Sequence, residues 1–234
     1  MSLYLLINVL TIFLPLLLSF DKKVHFYTYW KYFLPAMLIT MALFIFWDVL
    51  FTQYGVWGFN EKYHTGWTFF GLPLEEYLFF ITVPYASVFT IYVIDAYFPE
   101  TRLRTSQVRL VSFVLILILF VLSMVFIRRS YTAVNFAFSA LLIALVMLKN
   151  PRLLSQFYIS YLVILIPFGL VNGILTGSFI EGQVVWYNDL ENLGIRLGTI
   201  PFEDVFYGMN LILLNYFLLE TFRRRDTRKT NKSP

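Results

Sequence analysis

The chain has 234 residues, of which 59% are hydrophobic, 20% aromatic and only 14% charged, and it contains no cysteine. Soluble domains carry about a quarter charged residues, and here the segments between apolar blocks are too short to hold a second soluble core. The missing cysteines exclude a disulfide scaffold, thiolate metal sites and cysteine nucleophiles. The net charge of +4 comes from residues at block ends, so no nucleic-acid partner is expected.

Seven apolar blocks follow in chain order, at about 3–20, 31–50, 73–94, 109–127, 132–148, 157–177 and 200–221. Uncharged runs of about 18 residues or more read as transmembrane helices. The expected fold is therefore an all-α polytopic membrane protein with seven transmembrane helices. Closed barrels are the other spanning architecture, but runs such as Leu110 to Ile127 lack the alternation that barrels require. The first block has no basic residue before it and no small-x-small pattern near Ser19. It is expected to be a retained helix rather than a secretory signal.

Lysine and arginine set the orientation. With seven spans, one side holds Lys22, Lys23, Lys31, Arg102, Arg104, Arg109, Lys149, Arg152, Arg223, Arg224, Arg225, Arg228, Lys229 and Lys232. The other holds only Lys62, Arg128, Arg129 and Arg196. The first side is expected to be cytoplasmic, with the N-terminus outside and the basic C-terminal tail inside. The membrane implied is the cell inner (cytoplasmic) membrane, and the tail could also touch anionic lipid.

Shifted by 128 positions, the sequence repeats itself. Val56-Trp57-Gly58-Phe59-Asn60 falls on Val184-Val185-Trp186-Tyr187-Asn188, and Gly66 falls on Gly194. Leu72-Pro73-Leu74-Glu75-Glu76 falls on Ile200-Pro201-Phe202-Glu203-Asp204. Two parallel three-helix repeats joined by a linking helix are expected. The units would be 1–98 (helices one to three), 99–130 (linking helix four), 131–222 (helices five to seven) and a basic tail, 223–234. An odd number of helices would invert directly fused copies, and the fourth crossing restores the parallel arrangement. Both acidic motifs then sit at one depth, near the outer face. The symmetry implies one central site or one site per half, suited to a substrate with two like ends.

Pro73 and Pro201 each open a span, where the missing N–H is not needed. Glu75 and Glu76 follow one, Glu203 and Asp204 the other. A single acid in a first turn complements the helix dipole. Two adjacent acids point about 100° apart, so one of each pair can face the bundle interior and the other water or a neighbouring helix. Ionisable groups inside a membrane are costly and usually functional, and a desolvated neutral acid suits general-acid catalysis. Asp48 and Asn172 lie at comparable places near the ends of spans two and six, with a four-residue indel between them and the aligned motifs. Each is a candidate to orient a carboxyl or to make an interhelical hydrogen bond. Trp47, Trp57, Tyr77, Phe79, Phe80, Trp186, Phe206 and Tyr207 crowd the same face. They read either as an interfacial belt or as π-faces that steady a cation.

Other chemistry lacks support. There is no G-x-G-x-x-G, no P-loop and no D-x-x-x-D pair, and His25 and His64 lie in loops on opposite sides. No flavin, nicotinamide or metal is therefore expected. No lysine sits in the middle of a span, which argues against a retinal Schiff base.

Two three-helix units, each with Pro-x-Glu-(Glu/Asp) at the start of its last helix, resemble the carotenoid (lycopene) cyclase domain family in its fused, two-repeat form. Gly71-Leu72-Pro73-Leu74-Glu75-Glu76 is similar to the first copy's motif. Arg196-Leu197-Gly198-Thr199-Ile200-Pro201-Phe202-Glu203-Asp204 and Asn172-Gly173-Ile174-Leu175-Thr176-Gly177 are similar to the second's. The resemblance implies a lycopene β-cyclase of carotenoid biosynthesis: an intramolecular lyase or isomerase acting, without redox change, on a hydrocarbon dissolved in the bilayer. Other enzymes of the same pathway are implied as partners. Glu75 and Glu203 are expected to transfer protons, with Glu76 and Asp204 tuning them or taking the returning proton. The alternatives are an ε-ring or C50 cyclase, a carotenoid-binding or transport protein, and a small proton-coupled transporter.

Overall fold

A computed structural model describes residues 1–230, with side chains through residue 227; Lys232, counted above with the basic side, lies outside the described residues, as do the side chains of Arg228 and Lys229. The helices are α1 (Leu3–Leu18), α2 (Trp30–Gln53), α3 (Leu74–Tyr97), α4 (Thr105–Val125), α5 (Ser130–Lys149), α6 (Pro151–Leu175) and α7 (Phe202–Thr230). Among the described residues, six helices are long and apolar enough to cross a membrane. The exception is α1. Its 16 residues reach about 24 Å, short of the hydrocarbon thickness of about 30 Å.

Two boundaries differ from the sequence reading by more than four residues. Helix α6 starts six residues early, at Pro151, because proline suits a first turn and because Ser155 bonds to Leu103 through both its hydroxyl and its carbonyl. Helix α7 runs past residue 222, so the basic tail begins as helix rather than as a separate segment. Glu220 pairs with Arg223 at 3.2 Å one turn on, and Asp226 meets Lys31 and the Tyr32 hydroxyl.

Six short strands also form: β1 (Trp57–Phe59), β2 (Thr68–Phe69), β3 (Leu72–Pro73), β4 (Val185–Tyr187), β5 (Arg196–Leu197) and β6 (Ile200–Pro201). At two or three residues each, they are too short to show alternation in sequence. β2–β3 and β5–β6 are two-residue hairpins. Their turns use glycine at positive φ, Gly71 in one and Gly198 in the other, as such turns demand. Each hairpin runs directly into an acid-bearing helix, so the proline stands one residue before the helix rather than inside it.

Two contacts mark a twofold axis. Strands β1 and β4 pair antiparallel with Gly58 opposite Trp186, two residues 128 apart. At the far end of the bundle, the Tyr92 hydroxyl donates to Glu220 Oε1 at 2.5 Å, again 128 apart. Equivalent positions that touch lie on the symmetry axis. The axis therefore runs from one end of the bundle to the other, along the helices, and the two three-helix units are parallel. The main apolar core lies between α2, α3, α5, α6 and α7, with α4 packed outside on α5 and α6.

Candidate functional site

The two acids of each pair do different things. Glu75 Oε1 accepts from the Ser2 hydroxyl and the Thr65 backbone N–H, both at 2.7 Å. Glu203 Oε1 accepts from the Thr132 hydroxyl at 2.5 Å and the Leu193 N–H at 2.7 Å. Both carboxyls are fully buried. Each ties a loop and the first turn of α1 or α5 to the start of α3 or α7. Asn8 and Asn135 reinforce the tie by donating to the carbonyls of Glu75 and Glu203, at 2.9 and 2.7 Å. Neither Glu75 nor Glu203 faces the cavity between the repeats.

Glu76 and Asp204 do face it. They line one cavity of about 50 Å³, together with Asp48, Asn172, Tyr4, Trp57, Phe79, Tyr131, Phe168, Tyr187 and Tyr207. Acids from both repeats share it, so this cavity lies centrally between the two units. Asp204 is held by three donors: Tyr131 at 2.5 Å to Oδ1, then Asn172 at 2.7 Å and Tyr187 at 3.0 Å to Oδ2. Glu76 Oε2 accepts from the Tyr4 hydroxyl. Asp48 Oδ1 accepts from the Trp57 indole. The Asp48 and Glu76 carboxyls are neighbours on the same side of this cavity.

The halves are thus alike in frame and different in chemistry. Tyr4 and Tyr131 are equivalent, as are Glu76 and Asp204. Where the first repeat has a second acid, Asp48, the second has an amide, Asn172. Aromatic rings wall the space. Trp57 lies 5.1 Å from Tyr131 and 5.9 Å from Tyr207, and Tyr131 stacks on Tyr187 at 5.9 Å. The loop above is pinned by Arg196 on Asp189 at 2.6 Å and by Arg129 on the Asn192 carbonyl. Burial alone would raise the Asp189 carboxyl, but the Asn192 amide and the Arg196 guanidinium outweigh it and hold it below its ordinary value.

Of the aromatic residues singled out in sequence, Trp57, Phe79 and Tyr207 line the cavity. Five do not. Trp47 and Phe80 pack behind it, against Phe44 and its neighbours. Tyr77, one step of about 100° past Glu76, turns outward and donates to the Phe69 carbonyl. Phe206 packs on Phe136 and Phe202. Trp186 caps the strand pair and stays 42% exposed. The sequence reading missed Tyr4 and Tyr131. They align at a shift of 127 rather than 128, as do Asn8 and Asn135, and that register was the signal available. Among the described residues, no group of three histidine, cysteine or acidic side chains is placed to hold a metal ion.

The family model described as lycopene cyclase matches residues 1–94 and 128–222. No curated protein matches the chain, and no solved structure matches it.

Proposed function

The chain belongs to the lycopene cyclase family, and on that premise we propose that it closes the open ψ-ends of lycopene into β-rings, as an acid-catalysed isomerisation. The observation that carries the reading is the unequal pairing inside one aromatic-walled cavity. Glu76, beside Asp48, stands on one side, and Asp204, fixed by Tyr131, Asn172 and Tyr187, on the other.

Chemically the two sides divide the labour. Glu76 delivers its proton to the terminal double bond, leaving a tertiary carbocation. The next double bond along attacks that carbon, forming the ring bond and moving the charge into the ring. Asp204 then takes a ring proton, and the electrons of that C–H bond become the new double bond. One proton enters and one leaves, with no electrons exchanged, so the reaction calls for no redox cofactor. Proton return from Asp204 to Glu76 across the cavity resets the site. A carboxyl holding three charge-assisted bonds and donating none is suited to the basic role. The rings of Trp57, Tyr131 and Tyr207 steady the cation where water is scarce. Glu75 and Glu203 act as structural ties at the helix starts.

The substrate and the protein share the bilayer. Orientation follows the lysine and arginine distribution: cytoplasmic membrane, N-terminus outside, and the cavity in the outer half. The test is expression in a lycopene-accumulating bacterium with pigments separated by chromatography. A monocyclic intermediate followed by β-carotene is expected. Unaltered lycopene from membranes that contain the protein overturns the reading, and ε-rings or longer cyclic products overturn the β-assignment alone.

A further inference from the structure

The cavity is too small for its task as it stands. About 50 Å³ holds a few waters, not an isoprenoid end group, let alone the polyene behind it. Beside it, an apolar groove of about 380 Å³ opens between α1, α3 and α6. Phe79, Val83, Phe168 and Asn172 line both spaces, so the groove adjoins the site across these side chains. It extends along α3 from Phe79 to Thr90, about 16 Å of helix. Its mouth is formed by exposed Leu10, Leu14 and Leu170.

The twofold axis predicts a second groove between α5, α7 and α2, but that place is filled. Where the open side has Thr11, Ala86, Thr90 and Val171, the equivalent positions carry Phe138, Leu214, Leu218 and Trp47. Trp47 meets Phe138 at 5.7 Å and Tyr207 at 5.3 Å. Phe44 meets Tyr207 at 5.2 Å and Phe138 at 6.1 Å. Four smaller residues face the open groove, and at its counterpart the Trp47 and Phe138 rings pack with Phe44 and Tyr207.

We propose that the α1/α3/α6 groove is the lateral entry and the holding site for the polyene arm of the carotenoid. Phe79 and Phe168 stand between groove and cavity and swing aside to admit the end group. With the counterpart plugged, one end enters at a time, and the second ring requires release, reversal and re-entry. The occupant's identity rests on the cyclase reading; the groove's position beside the acid-lined cavity and its asymmetry do not. A groove that served only annular lipid would have no need to share a wall with the cavity that holds the buried carboxyls.

The experiment copies the plug onto the open side. Thr11→Phe with Val171→Trp, and separately the milder Ala86→Leu, are expressed in lycopene-accumulating cells beside Leu38→Trp and Ile118→Trp on the lipid-facing surface. Two quantities are read per unit of folded protein: cyclised product, and pigment retained by the purified protein. The groove variants are expected to lose both by about tenfold or more, as misplaced substrates do, while the surface controls match wild type. In membranes with excess lycopene, wild type is expected to build up monocyclic product before bicyclic product. Groove variants that cyclise and retain pigment like the controls overturn the proposal, as does loss of co-purified phospholipid with turnover intact. Bicyclic product without a free monocyclic stage overturns one-end entry. Wild type that retains pigment through the groove without cyclising it sinks the cyclase reading alone; wild type that does neither sinks both.

Discussion

Replacing the two acids of one pair separately distinguishes proton transfer from architecture. Glu76→Gln keeps the volume and leaves an amide oxygen to accept from Tyr4, but it removes the transferable proton. General-acid catalysis contributes about 10² to 10⁴ in rate. With no substitute donor beside the substrate, turnover should fall by roughly 10³, or about 4 kcal/mol of barrier. Glu75→Gln behaves differently. Its amide oxygen can still accept from Ser2 and from the Thr65 N–H. Its new NH₂ then occupies the place of Oε2, which is buried without a partner. That costs about 1–3 kcal/mol of stability, while turnover per folded molecule should stay within about tenfold, the loss expected from modest misalignment rather than removal of the reacting group. The assay is lycopene conversion in isolated membranes, normalised to protein that survives a thermal challenge in detergent. An inactive but normally stable Glu75→Gln protein, together with an active Glu76→Gln protein, would refute the division of roles.

Four further outcomes follow from the same geometry. Tyr131→Phe removes one of three donors to Asp204; a bond to a charged group is worth about 1.5–3 kcal/mol, so kcat should drop roughly tenfold to a hundredfold with KM little changed in steady-state assays. Asn172→Asp replaces an amide donor 2.7 Å from Asp204 with a second carboxyl, and should reduce turnover at least as far as Tyr131→Phe; wild-type rates in the same assay would contradict the basic role of Asp204. Tyr92→Phe breaks the bond to Glu220 about 24 Å along α3 from Glu76. It should lower detergent stability by about 0.6–2 kcal/mol and leave turnover per folded molecule unchanged. Gly177→Ala forces a side chain onto φ +112°, with the Gly182 carbonyl 2.7 Å from its Cβ; thermal unfolding should show a loss of about 1–3 kcal/mol.

Helices were legible because the bilayer demands long uncharged runs, and the Pro-x-Glu-(Glu/Asp) repeat was legible because its two copies keep one spacing. The hairpins were not: strands of two residues have no period to detect, and only their glycines hinted at turns. Which acid faces inward was open, because a 100° step says that neighbours diverge without saying which way the helix is rotated. That rotation is fixed by Ser2, Asn8, Thr132 and Asn135, on helices where the repeat is one residue out of step. The residue sizes at the four pairs of groove positions were visible in sequence. Their meaning was not, because Trp47 and Val171 become equivalent only when α2 and α6 are aligned through Asp48 and Asn172.

That last alignment also explains why a duplicated protein would abandon its symmetry. A ring closure needs a proton given at one carbon and taken at another, so two identical acids on either side of one cavity serve it poorly: both would be donors, or both bases. The frame has stayed symmetric, with a tyrosine on each inner acid and an asparagine bracing each helix start. Some of the differences between the halves bear on chemistry and on access. Asp48 against Asn172 makes one carboxyl half of an acid pair and the other an isolated, fully bonded one. Trp47 and Phe138 against Val171 and Thr11 close one of two equivalent paths. On the proposed reading, a two-ended substrate does not require two active centres, because it presents the same end twice to one centre whose sides are unlike.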